Sequence, residues 1–295
     1  MNRILSILLS AAMLMMLASC GSSAKDDSSE SSSAPEVSSS EAADNSSASS
    51  EEETKDAAAV QEPEEKPDEP EQEPAAAAYD FSQPAPETEP VTNDYFKDAA
   101  FVGDSRTDGF LIYSGIGCGE NLTSNGLSIF KLAEKKALTI DGQQYTLLEA
   151  LKLKQYSKVY LSLGVNELGM YNDNGFYQSY CDAIDAIREA QPNAVIYIQG
   201  LIPVNEQRVA ETTKRSYLEN NHLRVYNDLM RQAAQEHHAV YLDLYSAFVN
   251  ADGVLPYDAS KDGVHLNSDY CKKWLSYLQT HTVDFDSFLA GQTQA

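Results

Sequence analysis

Cysteine and tryptophan are scarce in this 295-residue chain, which contains four cysteines and one tryptophan. After residue 93 the only cysteines are Cys118, Cys181 and Cys271, an odd number at wide spacings that fits neither a disulfide framework nor a metal-ligand motif. The adjacent His237 and His238 have no cluster of cysteines or carboxylates near them, so they do not indicate a metal site. We expect free thiols, no metal and no other cofactor.

Basic residues are also few, with 21 Lys and Arg against 45 Asp and Glu and a net charge of −24. Residues 21–93 hold 20 of the acidic residues and three lysines, so they carry −17, and the part from Asp94 onward carries only −8. The chain has no basic stripe to neutralise phosphates, which excludes nucleic acid as an expected partner. The mildly acidic C-terminal part gives no reason to expect a cationic substrate.

No apolar run is long enough to cross a bilayer comfortably. The longest lies in residues 1–19, follows the single early cation Arg3, and is typical of a secretory signal. It ends in Leu-Ala-Ser-Cys-Gly at residues 17–21, which resembles the bacterial lipoprotein processing site. The resemblance implies that residues 1–20 are a lipoprotein signal with its processing site, that cleavage falls before Cys20, and that lipidated Cys20 anchors the protein on the extracytoplasmic face of the cell membrane. An ordinary cleaved signal peptide with a chance cysteine is the alternative.

Large apolar residues are rare in residues 21–93, which consist of serine runs followed by Glu, Pro and Ala. Nothing there could offset the entropy cost of ordering the backbone, so the composition predicts a disordered acidic tether. The remaining residues, 94–295, are enough for one domain with a substantial core.

Within that domain, strand-like apolar runs alternate with helical periodicity. We predict strands over residues 99–102, 158–163, 194–199 and 239–244, and helices over 176–190, 217–237 and 268–279. This alternation predicts an α/β fold in which helices cover both faces of a parallel sheet. Ligands bind such sheets beyond the carboxyl ends of the strands.

Polar residues that could form a catalytic site stand at or beyond predicted strand ends. Ser105 lies in Gly-Asp-Ser at 103–105, Asn166 lies in Gly-Val-Asn-Glu at 164–167, and Asp262 precedes His265 by three residues. A serine hydroxyl needs an imidazole to take its proton, and a carboxylate can orient that imidazole. Asp243 is a possible rival for the carboxylate, but its distance from the histidine in sequence favours Asp262.

The order Gly-Asp-Ser, Gly-x-Asn-Glu, Asp-x-x-His resembles the SGNH, or GDSL, hydrolase superfamily over residues 96–278. The resemblance implies a three-layer α/β/α fold of flavodoxin-like type, with Ser105 as nucleophile and Asp262 and His265 completing a triad. It also implies an oxyanion hole formed by the Ser105 N–H, a glycine N–H and the Asn166 amide. Gly126 is our choice for the glycine. Its competitors are three earlier glycines at positions 115, 117 and 119.

Two residues depart from the family pattern. Glu167 stands where aspartate is usual, and either keeps a structural hydrogen bond or borders the substrate. Arg106 follows the nucleophile, where a small or apolar residue is common. It could brace the loop, or line a substrate pocket and attract a negatively charged or sugar-ring substrate.

The chemistry and the location together predict a serine esterase that removes small acyl groups, O-acetyl above all, from extracellular polysaccharide or cell-wall glycan. No long hydrophobic lid separates the motifs, which makes a lipase less favoured. The alternatives are an O-acyltransferase that uses the same residues and a non-catalytic lipoprotein that binds glycan. Tyr171, Tyr177 and Tyr180 are interpreted as packing residues, with stacking on sugar rings as a second possibility.

Overall fold

A computed structural model of the protein describes residues 77–293. The strands are β1 (Ala99–Gly103), β2 (Glu120–Thr123), β3 (Leu138–Ile140), β4 (Gln143–Tyr145), β5 (Lys158–Ser162), β6 (Val195–Gln199) and β7 (Val240–Leu242). The α-helices are α1 (Ser105–Tyr113), α2 (Leu147–Leu151), α3 (Asp173–Ala190), α4 (Glu206–Glu211), α5 (Asn220–Glu236), α6 (Leu244–Phe248), α7 (Ser268–Thr280) and α8 (Phe285–Thr293). Four short 3₁₀ helices cover Asn93–Phe96, Ile129–Lys131, Val165–Glu167 and Tyr257–Ala259.

Five strands form one parallel sheet in the order β2-β1-β5-β6-β7. The direction of this order reverses at β1, so a crevice is expected between the carboxyl ends of β1 and β5. Gly103, the last residue of β1, pairs with Thr123 of β2 and Ser162 of β5, which aligns the ends of the three strands. The predicted fold class is confirmed.

The sheet separates two hydrophobic cores. Alternate residues of β1 point to opposite faces, so Val102 joins the core shared with α2, α3 and α5, while Phe101 joins the core shared with α1, α7 and α8. Apolar residues every three or four positions give α3 and α5 the buried stripe that packs them together. The layers are therefore helix, sheet and helix, as predicted.

Two β elements were not predicted. β2 is an edge strand in which only Leu122 is buried, so its sequence shows no run of apolar residues. The hairpin of β3 and β4 turns at Asp141 and Gly142, both with positive φ, as a two-residue turn requires.

The predicted boundary between tether and domain at residue 93 is wrong, because residues 77–93 pack on the domain. Phe81 is buried against Phe288, with ring centroids 5.6 Å apart. The Ala85 N–H donates to the Tyr241 carbonyl at 2.9 Å, which covers the edge strand β7. This segment has three acidic residues and three prolines, like the tether before it, but Tyr79 and Phe81 are the first aromatic residues in the chain and could have signalled the change.

The signal peptide, Cys20 and most of the predicted tether lie outside the described residues. Between residues 77 and 293, none of the helices has the length and apolar character that crossing a membrane requires. The three cysteines of this part are unpaired, two of them buried, and Cys118 is half-buried.

Candidate active site

Ser105 is placed by a tight turn between β1 and α1. A Cβ atom on Gly103 would lie 2.2 Å from Thr107 Oγ1 and 2.9 Å from the Ser162 carbonyl, so only glycine fits there. Asp104 caps α1 by accepting a hydrogen bond from the Arg106 N–H at 2.9 Å, which makes Ser105 the first residue of the helix. The Ser105 N–H therefore lies at the positive end of the helix dipole, which favours a developing negative charge.

Ser105, His265 and Asp262 form a continuous hydrogen-bonded relay. Ser105 Oγ lies 2.9 Å from His265 Nε2, and His265 Nδ1 lies 2.7 Å from Asp262 Oδ2. A carboxylate can only accept, so the neutral imidazole carries its proton on Nδ1 and leaves Nε2 free to accept from the serine. This arrangement allows His265 to take a proton from Ser105.

The Asp262 carboxylate receives hydrogen bonds from its own loop as well as from the imidazole. Oδ1 accepts from the Val264 and His265 N–H groups at 2.9 Å and from Ser260 Oγ at 3.0 Å. Burial raises the pKa of Asp262, but bonds from the His265 side chain and the two N–H groups outweigh it and hold the pKa well below its usual range. Asp262 is therefore charged at neutral pH and favours the imidazolium that forms beside it.

Asn166 lies in the predicted crevice, just beyond β5. Its Nδ2 donates to Asp104 Oδ2 at 2.9 Å and to the Leu127 carbonyl at 3.0 Å. Both N–H bonds are thus used within the protein, and an oxyanion must replace or share one of these acceptors. Burial raises the pKa of the Asp104 carboxyl group and so disfavours its charged form, and the other acceptor is the neutral Leu127 carbonyl.

Gly126 lies at the same edge of the sheet as Ser105. The Ser124 N–H donates to the Gly103 carbonyl at 3.0 Å, which ties the loop after β2 to the end of β1. Gly126 is exposed and has φ +69° in the tight turn that the Leu127 N–H closes on the Ser124 carbonyl. The competing glycines at 115, 117 and 119 follow α1, toward the opposite edge, where Gly119 approaches Phe96 and Phe101. The position of Gly126 suits the expected role, which stays a prediction.

Glu167 was predicted as a possible substrate-pocket residue, and the structure contradicts this. Its side chain is fully buried, and Oε1 accepts a hydrogen bond from the Ile129 N–H while Oε2 has no partner among the described residues. Burial raises the pKa of Glu167 to about 7. Glu167 holds the loop that contains Gly126 against the loop that contains Asn166. Of the two roles considered for it, Glu167 therefore has the structural one.

Arg106 also does not line a substrate pocket. Its side chain points inward, where Nη1 donates to the Ile202 carbonyl at 2.9 Å and Nη2 is buried with no partner among residues 77–293. The neighbouring void measures about 10 Å³, which is no larger than one water molecule. Burial lowers the pKa of Arg106 to about 10. Of the two roles considered, Arg106 therefore braces the loop after β1 and does not contact a substrate.

Other candidates are separated from the relay. Asp243 caps α6 by accepting from the Ser246 N–H at 3.1 Å and the Ser246 hydroxyl at 2.6 Å. Tyr180 is fully buried and packs in the core, whereas Tyr171 is 63% exposed. The sequence did not single out Asp104 or Ser260 as supporting residues, although both stand inside the recognised motifs.

The relay and the sheet-end crevice define a serine hydrolase of the α/β class. The GDSL-like lipase/acylhydrolase family matches residues 101–269, which is more than half of the chain. The chain belongs to this family and is an enzyme that hydrolyses ester bonds. The resemblance to the SGNH, or GDSL, hydrolases is thereby confirmed.

Solved structures with a similar fold come from several bacteria. A Streptococcus pneumonia protein described as a platelet activating factor is 18% identical, with a TM-score of 0.51, over 61% of this chain and 81% of that one. A Bacteroides fragilis protein described as an acylhydrolase is 16% identical, with a TM-score of 0.47, over 66% and 88%. At 18% identity the likeness to the first of these proteins concerns the fold alone. No curated protein matches the chain in sequence.

Proposed function

We propose that this protein is a serine esterase that removes small acyl groups, O-acetyl above all, from extracellular polysaccharide or cell-wall glycan. The observation that carries the proposal is the relay in which Ser105 Oγ lies 2.9 Å from His265 Nε2 and His265 Nδ1 lies 2.7 Å from Asp262. The order of these contacts, from serine to imidazole and from imidazole to carboxylate, is the order that acyl transfer uses.

In the proposed mechanism, Ser105 Oγ attacks the ester carbonyl carbon while His265 Nε2 takes the hydroxyl proton. The carbonyl oxygen becomes negative and accepts hydrogen bonds from the Ser105 and Gly126 N–H groups and from Asn166. The carbon–oxygen bond to the alcohol then breaks, and His265 returns the proton to the leaving oxygen. Water hydrolyses acyl-Ser105 in the same way, with His265 again as base, and releases the carboxylic acid.

The exposure of the site supports an ester carried on a large molecule. The His265 side chain is 50% exposed and that of Asp262 is 33% exposed, so a polymer can bring an ester to the relay. The proposal of acetyl over a fatty acyl group rests on the sequence, which has no long hydrophobic insert between the motifs.

The sequence of the N-terminus supports a proposal about location. Residues 1–20 fit a lipoprotein signal, and we propose that lipidated Cys20 holds the protein at the extracytoplasmic face of the cell membrane. An ester of the cell surface or of imported polysaccharide would then be within reach.

The test is acetate release from O-acetylated xylan and O-acetylated peptidoglycan by the wild type and by Ser105→Ala. We expect the variant to lose turnover by about 10⁶-fold, and Ser82→Ala, an exposed serine far from the relay, to match the wild type. Turnover that survives Ser105→Ala would disprove the acyl-serine mechanism. Faster hydrolysis of long-chain esters than of acetyl esters would disprove the proposed substrate class, and acetyl transfer to an added sugar would indicate an acyltransferase.

A further inference from the structure

Tyr171 is an exposed aromatic residue held in an unusual backbone conformation. It has φ +49°, in the left-handed region that disfavours bulky residues, and it is 63% exposed. Such strain persists only where the surroundings maintain it, and it concentrates at sites of function. Simple packing does not account for it, because most of the side chain is in contact with solvent.

A buried histidine supports the Tyr171 ring from one side. The rings of Tyr171 and His222 are stacked, with centroids 4.8 Å apart and an angle of 9° between their planes. His222 is fixed in turn, since Nδ1 lies 2.8 Å from the Leu168 carbonyl and Nε2 lies 2.8 Å from Asp173 Oδ1. One face of the tyrosine is therefore occupied and its orientation is set, so the exposed area includes the opposite face.

Tyr171 lies on the loop that contains Asn166, at the carboxyl end of β5. Five residues separate the two, so their Cα atoms are at most about 17 Å apart, and the Met170 N–H donates to the Glu167 carbonyl at 2.8 Å, which shortens the path. Met170 is 56% exposed and extends the apolar surface beside the ring. The loop that brings Asn166 to Asp104, next to Ser105, therefore also carries this apolar surface.

We propose that Tyr171 is a sugar-stacking residue that determines specificity, and that it binds a pyranose ring of the glycan several units from the ester. This inference rests on the proposed function. The C–H face of a pyranose is apolar and slightly positive, so it complements the negative face of an aromatic ring, and a ring already held in place loses little entropy on binding. Exposure alone would not indicate such a role. Phe285 is 40% exposed too, but it borders Lys158 and Val195, the first residues of β5 and β6, at the opposite edge of the sheet.

The test compares Tyr171→Asn and Tyr171→Phe with the control Phe285→Asn, an exposed aromatic residue at the opposite edge of the sheet. Asparagine tolerates positive φ, so Tyr171→Asn should fold at least as well as the wild type, which a melting curve checks. Binding is measured by calorimetry in a Ser105→Ala background, with xylotetraose and chitotetraose as the probes. We expect Tyr171→Asn to weaken binding of one of them about tenfold, and Tyr171→Phe and Phe285→Asn to bind as the parent does.

A second readout is the ratio of kcat/KM for an acetylated oligosaccharide to kcat/KM for p-nitrophenyl acetate, which should fall about tenfold in Tyr171→Asn. The inference is overturned if neither tetrasaccharide binds the Ser105→Ala protein, or if Tyr171→Asn binds both as tightly as the parent. Failure of the proposed function would be seen differently, as acetate release that does not depend on Ser105.

Discussion

Two carboxylates of the site motifs, Asp262 and Glu167, belong to regions with opposite electrostatic character. Asp262 lies on the partly exposed histidine loop and has a pKa well below its usual range. Glu167 lies in the buried contact between the loops after β2 and β5, where burial raises its pKa to about 7. The same functional group is therefore fully charged at neutral pH in one region and about half protonated in the other.

The number of hydrogen-bond donors explains the difference. Asp262 accepts from its own loop and from the imidazole through both oxygens. Glu167 accepts one backbone bond on Oε1, and its buried Oε2 has no partner within the described part of the chain. Donors favour the charged form and burial opposes it, so the donor-rich loop can perform proton chemistry while the donor-poor contact fixes the geometry.

Asp262→Asn tests the charged carboxylate of the relay and, after Ser105→Ala, should give the largest effect. The amide cannot hold the imidazole in the tautomer that leaves Nε2 free, so we expect kcat to fall about 10⁴-fold with little loss of stability. Steady-state kinetics on p-nitrophenyl acetate measure this. Asp258→Asn, an exposed aspartate of the same loop, should behave like the wild type, and equal losses in the two variants would contradict the assigned role.

Asn166→Ala tests the role of the Asn166 amide as a hydrogen-bond donor to the oxyanion. Removal of one oxyanion donor should lower kcat by about 10²–10³-fold, with KM nearly unchanged, because the bond forms only as charge develops. Asn193→Ala, an exposed asparagine next to the opposite edge of the sheet, is the control. An unchanged kcat would mean that Asn166 remains bonded to Asp104 and Leu127 throughout the reaction.

Glu167→Gln tests the buried carboxyl group, and the measured quantity is the pH dependence of the free energy of unfolding. Burial raises the pKa of Glu167 to about 7 in the folded protein, above the usual carboxyl value of about 4.5, so the folded protein binds more protons than the unfolded chain between these pH values. The free energy of unfolding should therefore fall by up to about 3 kcal/mol as pH rises from below 4.5 to above 7. Urea unfolding at pH 5 and pH 8 measures this slope.

Glutamine keeps an acceptor for the Ile129 N–H but does not titrate, so Glu167→Gln should flatten this slope. Glu189→Gln, at an exposed position of α3, should leave it unchanged. Asp262 contributes to the pH dependence in the opposite direction. Because its pKa is lowered in the folded protein, it stabilises the fold at pH values above the usual carboxyl pKa, and this stabilisation is lost in acid. A slope that persists in full in Glu167→Gln would assign it to another buried group.

Ser260→Ala gives the smallest expected effect. It removes one donor from Asp262 Oδ1 and one acceptor from the Gly263 N–H, at a cost of about 1 kcal/mol of stability. Because three donors to Asp262 remain, we expect kcat to change only a few-fold. Thermal unfolding and kinetics on the same preparation check both values, and a loss as large as that of Asp262→Asn would contradict the view that several donors share this task.

Much of the fold follows from local patterns. The strands β1, β5, β6 and β7 are buried apolar runs, and three helices have a clear apolar stripe, so each was predicted within a few residues of its position. The strand β2 was not, because an edge strand with one buried side chain shows no such run. Residues 77–93 were assigned to the tether for a similar reason, since two aromatic residues do not change the average composition of the segment.

By itself the sequence determined the chemistry of the relay. Asp262 and His265 stand three residues apart on one loop, where short-range geometry brings them together, and Gly103 and Asp104 fix the turn before Ser105. Only the tertiary structure decided the directions of Arg106 and Glu167. Both stand beside catalytic residues in sequence, yet they point into the interior, because the side chain's direction depends on the packing of other elements around it. The same holds for Tyr171, whose exposed face exists because a histidine from α5 fills the other.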